Sequence, residues 1–161
     1  MDEGSILFYV IAIILLVACS AFFSATETAF SCVSRIRLKN YVNMGRKRAK
    51  KALKVSENFD TALSAILIGN NIVNIAAASL GTVFFTGLLG DAGVGISTIV
   101  MTVFVLIFGE VVPKSLAKQH PESVAMFSAG IMLFLMKLFL PLVWVLQGIV
   151  KQFSKKLGGT T

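Results

Sequence analysis

The stretch "VGISTIVMTVFVLIFGEVVPK", Val94–Lys114, is uncharged up to Phe108 and then carries Glu110, Pro113 and Lys114 within about one helical turn. An apolar run approaching the roughly 20 residues that cross a bilayer predicts a transmembrane helix. A carboxylate within such a helix is energetically costly, and a proline removes a helical hydrogen bond. Their presence in one turn therefore predicts a functional position.

The overall composition agrees with a membrane protein. The chain has 161 residues, of which 56% are hydrophobic, more than is usual for a soluble domain. The first residues, Met1-Asp2-Glu3, are acidic and no small-residue cleavage site follows the first apolar run, so we expect that run to be retained rather than removed as a signal peptide. Cys19 and Cys32 lack CxxC spacing, so neither a zinc site nor a disulfide framework is expected.

Three apolar runs, about 5–23, 62–89 and 94–112, predict an all-α membrane protein with three transmembrane helices. The net charge is +7, and a basic segment at 35–54 lies directly after the first run. We expect residues 34–58 to form an interfacial helix on the cytoplasmic face that contacts anionic lipid headgroups rather than nucleic acid. The N-terminus is then outside and the C-terminus cytoplasmic, in the plasma (inner) membrane.

A fourth apolar run, 123–150, contains Lys137 in its middle and Pro141 one turn later. A full crossing would leave the lysines of the next segment outside, against the positive-inside rule, so we expect an interfacial element on the inner leaflet, bent near 137–141. An ordinary fourth span with a kink stays open, because insertion scales give a central lysine only about 2.5–3.5 kcal/mol. Residues 1–150 are then the membrane domain, and 151–161 are expected to be a linker towards cytosolic domains.

The segment "FSATETAFSCVS", 23–34, places four polar residues on one face of a helix: Ser24, Glu27, Thr28 and Ser31. Hydroxyls in membrane helices commonly bond back to backbone carbonyls, and that alternative is sufficient for a single serine. It is less satisfactory for four polar groups that include an acid. The pattern indicates a polar surface directed into a helix bundle.

A second cluster, "GNNIVNIAAAS" at 69–79, has Asn70 and Asn74 on one face and Asn71 to the side. Each asparagine supplies a carbonyl oxygen that can bind a cation. Hydrogen bonding between helices is the alternative. Because the three lie within five residues in the middle of a span, a ligand site is at least as well supported.

In "FGEVVPK", 108–114, Pro113 removes the hydrogen bond to the carbonyl four residues earlier, which belongs to Gly109. One turn would thus offer that carbonyl and the carboxylate of Glu110. A simple Glu110–Lys114 salt bridge is the alternative, although it does not account for the proline.

Hydroxyl, amide, carbonyl and carboxylate oxygens suit Mg²⁺, Ca²⁺ or Mn²⁺ better than zinc or copper. Kinked membrane helices with a carboxylate also suit Na⁺ coupling. The sequence has no nucleophile–base pair and no glycine-rich phosphate loop, so we do not expect an enzyme.

Three stretches, "FSATETAFSCVSR", "IGNNIVNI" and "FGEVVPKSLA", resemble in order and spacing the transmembrane domain of the CNNM/CorC family of magnesium transporters, and the bacterial CorC branch in particular. The resemblance implies a homodimer whose protomers have three membrane helices and further helices on the cytoplasmic side. It implies Mg²⁺ export with Na⁺ as the coupling ion, and regulatory CBS domains that lie outside this chain.

Carried over by motif, the resemblance implies Mg²⁺ ligands from all three segments, with a helix kink at Pro113. The ligands would be Ser24, Ser31, Asn70, Asn74, Gly109 and Glu110, with Thr28, Glu27 and Asn71 as second candidates. An alternative function is a membrane Mg²⁺ sensor or scaffold that anchors cytosolic regulatory domains without transporting the ion.

Overall fold

The computed structural model describes residues 1–158, which are almost entirely helical and contain no strand. A 3₁₀ turn, Gly90–Ala92, joins the fourth and fifth helices, and a π-helical stretch, Val105–Val111, joins the fifth and sixth. The predicted all-α fold is confirmed. The helices are α1 Glu3–Cys32, α2 Arg35–Asn43, α3 Lys47–Glu57, α4 Phe59–Leu89, α5 Gly93–Phe104, α6 Val112–Gln119, α7 Pro121–Leu138 and α8 Leu140–Lys156.

Local sequence explains where several helices begin and end. The amide of Ser5 donates to Asp2 Oδ1 at 2.9 Å, which caps α1 and holds the pKa of the Asp2 carboxyl below its ordinary value. Gly45 and Gly90 adopt positive φ angles of 86° and 71°, a conformation that favours glycine. Gly45 ends the α2 turn, and Gly90 lets the chain reverse after α4.

Two predicted boundaries were wrong. The expected interfacial helix over 34–58 is two helices, because the turn at Gly45 separates α2 from α3. Helix α1 continues beyond the apolar run 5–23 to Cys32, and Thr26 and Ser31 donate to carbonyls of their own helix. The expected linker is helical to Lys156 as part of α8, whereas 159–161 lie outside the described residues.

Helix α4 runs antiparallel to α1, and the chain from α5 through α6 returns beside both. Tyr9 of α1 meets Phe84 of α4 with ring centroids 6.4 Å apart, near one end of the pair. Further along, Gly69 lies so close to the Phe23 ring that any Cβ there would overlap it. These contacts bring the three polar segments to the same level of the bundle.

The charged residues divide the bundle into two ends. Most lysines and arginines of the sequence, those of 35–54 together with Lys114 and Lys118, lie at the end that carries α2, α3, α6 and the start of α7. Asp2, Glu3 and Asp91 lie at the opposite end, where α1 begins and α4 turns into α5. We call these the basic end and the acidic end.

Three helical stretches are long and apolar enough to cross a membrane: Glu3–Cys32, Phe59–Gln119 and Pro121–Leu138. The second reverses at Gly90 and therefore contributes two antiparallel helices. The run 123–150 breaks at Phe139, within the region of the expected bend, into α7 and α8. Helix α7 packs against α3 at the basic end, with Lys51 Nζ beside Gly130, although its length alone also permits a crossing.

Candidate functional site

Ser20 is the point where three membrane segments meet. Its side chain is buried, and its hydroxyl donates to Oδ1 of Asn70 on α4 at 3.2 Å. The π-helical stretch approaches the same hydroxyl: a Cβ placed on Gly109 would lie 3.0 Å from Ser20 Oγ. Only a glycine allows this approach without displacement of α1. Two predicted ligands, Asn70 and Gly109, are thereby brought together across one serine.

Two oxygens next to this contact are buried without a hydrogen-bond partner among the described residues. One is Ser24 Oγ, a turn after Ser20 on α1, and the other is Asn74 Oδ1, a turn after Asn70 on α4. A buried polar atom that makes no hydrogen bond costs about 1–3 kcal/mol. Both atoms belong to predicted ligands, and a cation or ordered water would satisfy them.

The third polar segment, 108–114, does not have the α-helical register that the sequence predicts. Residues Val105–Val111 form a π-helix, and the amide of Val112 donates to the carbonyl of Ile107, five residues earlier. In that register, Pro113 deprives the carbonyl of Phe108 of a donor. In the α register of the following helix the deprived carbonyl is that of Gly109. Pro113 is buried at the change between the two registers, so the proline affects this turn in either case.

Glu110 lies on the π-helical stretch with its side chain about 30% exposed, and Lys114 Nζ is 3.4 Å from Glu110 Oε2. The salt bridge considered as an alternative is thus present. A cation that binds the carboxylate would have to displace Lys114 from it.

The remaining predicted residues lie apart from Ser20. Ser31 is exposed, and its hydroxyl donates to the carbonyl of Glu27 at 2.8 Å, as in the alternative that the sequence left open. Glu27 and Thr28 are half-buried, and Asn71 is exposed on α4. Within residues 1–158, no hydrogen bond joins these four side chains to Asn70 or Gly109.

Ser20 was missed from the sequence because the polar motif was taken to start at Phe23. The residues 20, 24, 27 and 31 follow the i, i+4, i+7 spacing of one helical face. Extending the face by one turn towards the N-terminus would have found it. The π-helix has no comparable sequence signal, apart from the proline that follows it.

The chemistry of the site is that of neutral oxygens and a single carboxylate. Residues 1–158 contain no group of three or more histidine, cysteine, aspartate or glutamate side chains that could hold a metal ion. Any metal bound near Ser20 would therefore use hydroxyl, amide and backbone oxygens, which are ligands of hard cations.

Comparison with known proteins identifies the family of this chain. The family model described as "CNNM: Cyclin M transmembrane N-terminal domain" matches residues 10–161, nearly the whole chain. The chain belongs to the CNNM family. The expected resemblance is confirmed.

Two curated relatives are similar over most of this chain. A "UPF0053 protein" of Haemophilus influenzae is 44% identical over 150 residues, which cover 93% of this chain and 36% of the relative. The "UPF0053 inner membrane protein YfjD" of Escherichia coli is 42% identical over 139 residues, covering 86% of this chain and 32% of the relative. The chain thus spans about a third of the length of these two relatives.

A more distant relative from Haemophilus influenzae, 27% identical over 159 residues, carries the name "Polyamine export protein". The match covers 91% of this chain and 37% of that protein. Family membership, the apolar helices and the inner-membrane relative together support a multi-pass inner membrane protein with a transport or transport-like role.

Proposed function

We propose that this chain forms the ion pathway of a Mg²⁺ exporter that uses Na⁺ as the coupling ion. The ion would bind where α1, α4 and the π-helical stretch meet around Ser20. Its ligands would be Ser20, Ser24, Asn70, Asn74, Gly109 and Glu110, with Ser20 in place of the exposed Ser31. Six oxygens match the octahedral coordination that Mg²⁺ demands.

One observation carries the proposal: two buried and unpartnered oxygens, Ser24 Oγ and Asn74 Oδ1, flank the Ser20–Asn70 hydrogen bond. In a membrane-spanning bundle such atoms have no water to satisfy them unless the site is hydrated. Because α1 and α4 are antiparallel, the two atoms lie on opposite sides of that bond, so a cation would satisfy either one directly and would reach both only after the two helices shift along each other. It would also explain why three polar segments from different helices converge at one level.

Glu110 supplies the negative charge that a divalent ion needs in a site of low dielectric. Without the ion, Lys114 neutralises the carboxylate at 3.4 Å. With the ion, the ammonium would turn towards the basic end, where its side chain is already about 41% exposed. The exchange of Lys114 for Mg²⁺ would change the net charge of the site from zero to +1, because Glu110 is the single carboxylate there.

The basic end is proposed to face the cytoplasm because most lysine and arginine residues of the sequence lie there. The N-terminus is then outside and α8 begins the cytoplasmic continuation. The lysines and arginines of α2 and α3 would contact anionic headgroups, and α7, which packs against α3, would lie at the inner leaflet. Mg²⁺ would enter from this side and leave towards the acidic end.

We further propose a homodimer. Not all the small residues after Asn74 are free for a second copy, since Ala77 and Gly81 are buried inside the protomer, Gly81 against Met101. Ala78 and Ser79 remain exposed on α4 beside Ile75. Cysteine crosslinking at Ser79→Cys in native membranes, in a background without Cys19 and Cys32, should give a covalent dimer.

Mg²⁺ efflux from proteoliposomes tests the function. The purified protein is reconstituted into Mg²⁺-loaded vesicles, and release is followed with a Mg²⁺-sensitive dye while Na⁺ is supplied on the opposite side. Glu110→Ala should abolish efflux because it removes the only carboxylate on the π-helical stretch. Glu57→Ala, which removes an exposed acid on α3, should leave efflux unchanged and serves as the matched control.

Efflux retained by Glu110→Ala would contradict the assignment of the site. Mg²⁺ binding by the unaltered protein without any efflux would favour the sensor or scaffold instead. Vesicles loaded with a polyamine are run in parallel, because one relative is named for polyamine export. Release of the polyamine but not of Mg²⁺ would overturn the choice of cargo.

A further inference from the structure

A polar cavity lies between α4 and α5. It begins at Asn74 and lies further from the basic end than Asn74 does. Its volume is about 270 Å³, and its polar lining consists of Asn74, Thr82, Ser97, Thr98 and Thr102. Thr82, Ser97 and Thr98 lie nearer to the turn at Gly90 than Asn74 does, so the cavity extends from the Mg²⁺ candidate site towards the acidic end. The function proposed above uses only one of these residues.

The hydrogen bonds of the three threonines determine what the cavity can bind. Thr82 donates to the carbonyl of Ala78, Thr98 to that of Val94, and Thr102 to that of Thr98. A hydroxyl that has given its proton to its own helix keeps only lone pairs for other partners. The threonines therefore present acceptors to the cavity.

Asn74 adds a fourth acceptor. Its Oδ1 atom is buried and has no hydrogen-bond partner in the described part of the chain, and the residue lines the cavity. The cavity is open where Thr98 and Thr102 are exposed, and it carries the Ser97 hydroxyl besides four acceptor oxygens from three threonines and one amide. Such a lining attracts a cation or a water molecule and disfavours an anion.

The charge of the lining side chains indicates whether the cavity suits a monovalent or a divalent cation. Among residues 1–158, no acidic side chain lines this cavity, whereas Glu110 lies on the stretch that approaches Ser20. Mg²⁺ gives up its water reluctantly and is usually bound by carboxylates. Neutral hydroxyl and amide oxygens suit an alkali cation that keeps part of its hydration, as at the unwound helices of Na⁺-coupled transporters.

We propose that this cavity is the binding site of the coupling Na⁺ ion, and that Asn74 is shared between it and the Mg²⁺ site. This inference rests on the exporter function proposed above, which it makes more specific. Because one amide oxygen cannot coordinate fully at both places, Na⁺ arriving from the acidic end would draw Asn74 away from Mg²⁺ and weaken its binding. The two ions would be coupled through a single side chain.

Two measurements on purified protein test the site. Binding of ²²Na⁺ is measured without Mg²⁺, and Mg²⁺ affinity is measured by calorimetry in sodium chloride and in choline chloride. The double variant Thr98→Val with Thr102→Val removes two acceptors with little change in shape. We expect its Na⁺ affinity to fall about tenfold or more, because two of the acceptor oxygens are lost. Its Mg²⁺ affinity in choline should change less than about twofold.

Two further variants control for folding. Thr98→Ser with Thr102→Ser keeps both hydroxyls and should bind Na⁺ as the unaltered protein does. Thr86→Val removes a hydroxyl from α4 outside the cavity and should also leave Na⁺ binding intact. In the unaltered protein Na⁺ should lower the Mg²⁺ affinity, and in the double valine variant this effect should disappear.

Equal Na⁺ affinity in the unaltered protein and in the double valine variant would overturn the inference, as would the absence of Na⁺ binding by the unaltered protein. The first result would leave Mg²⁺ efflux through Glu110 untouched, whereas the second would also contradict the proposed Na⁺ coupling. Conversely, Na⁺ binding that depends on the two hydroxyls, in a protein that neither binds nor releases Mg²⁺, would support the Na⁺ site while contradicting the exporter function.

Discussion

Helix α4 contacts α1 on one side and α5 on the other. The two contacts use similar residues but differ in how closely the helices approach. Towards α1 the helices are close: Gly69 lies against the Phe23 ring, and Ser20 bonds directly to Asn70. Towards α5 the helices enclose a cavity of about 270 Å³ with threonine and serine on its wall. Hydroxyls and amides line both contacts, but only the first has a carboxylate on the neighbouring π-helical stretch.

The difference shows that residue type alone does not define a cation site in a membrane bundle. In the α1–α4 contact the small residues bring oxygens within bonding distance of one another. In the α4–α5 contact the hydroxyls satisfy their protons within their own helices and leave space between them. The first arrangement suits a small, strongly hydrated divalent ion, whereas the second suits a more weakly bound monovalent ion.

The largest expected effect comes from filling the α1 contact. In Gly109→Ala the new methyl group would lie 3.0 Å from Ser20 Oγ, so Ser20 would have to shift by a few tenths of an ångström. Overpacking of this kind costs about 1–3 kcal/mol, and about 1.4 kcal/mol corresponds to a tenfold change in affinity. We expect Mg²⁺ affinity, measured by calorimetry, to fall about five- to hundredfold.

The matched control for that variant is Gly95→Ala. Gly95 is a helical glycine of α5, and a Cβ placed on it would meet open space, with no neighbouring atom within 4 Å. Alanine there should leave Mg²⁺ affinity unchanged and favour the helix slightly. Equal affinities for the two variants would show that the close approach at Ser20 is not part of the Mg²⁺ site.

A smaller effect separates two serines of the same helix. Ser20→Ala removes the donor to Asn70, and interhelical hydrogen bonds in membranes contribute about 0.6 kcal/mol on average and up to about 1.7. Mg²⁺ affinity should therefore fall about three- to tenfold. Ser31→Ala should change it less than about twofold, since Ser31 is exposed and bonded to its own helix.

The variants Ser20→Ala and Ser31→Ala also distinguish the ligand set built around Ser20 from the set that the family resemblance implies. The resemblance names Ser31 as a ligand and does not name Ser20. If Ser31→Ala weakened Mg²⁺ binding more than Ser20→Ala, the ligand set carried over by motif would be preferred to the one built around Ser20.

The sequence predicted the parts of the fold that depend on apolar runs. The spans at 62–89 and 94–112 fall within α4 and within the helical chain from α5 to α6, because lengths of uninterrupted apolar residues have few alternatives in a membrane protein. The apolar run 5–23 covers only part of α1, because Ser24 and Glu27 lower the local hydrophobicity while the helical backbone bonds continue to Cys32.

The candidate site was only partly predictable for a different reason. Asn70 and Asn74 were found because three amides within five residues are unusual in a span. Periodicity would have placed Ser20 on the polar face of α1, but it does not show which residue of another helix Ser20 meets. The π register at Val105–Val111 changes which carbonyl Pro113 deprives of a donor, and it results from packing between helices rather than from local propensity.

The smallest expected effect comes from Pro113→Ala, which adds one amide hydrogen to the turn that carries Glu110. The new donor would pair with the carbonyl of Gly109 in an α register or with that of Phe108 in a π register. Pairing with Gly109 would only compete with a cation, so Mg²⁺ affinity should fall a few-fold, about 0.5–1 kcal/mol, rather than vanish. Pairing with Phe108 would leave Mg²⁺ affinity unchanged. It would show that the proline is not what leaves the Gly109 carbonyl free to bind an ion. Calorimetry of Pro113→Ala beside Gly109→Ala therefore separates two roles of one glycine: the oxygen that it offers to an ion and the space that it leaves for Ser20.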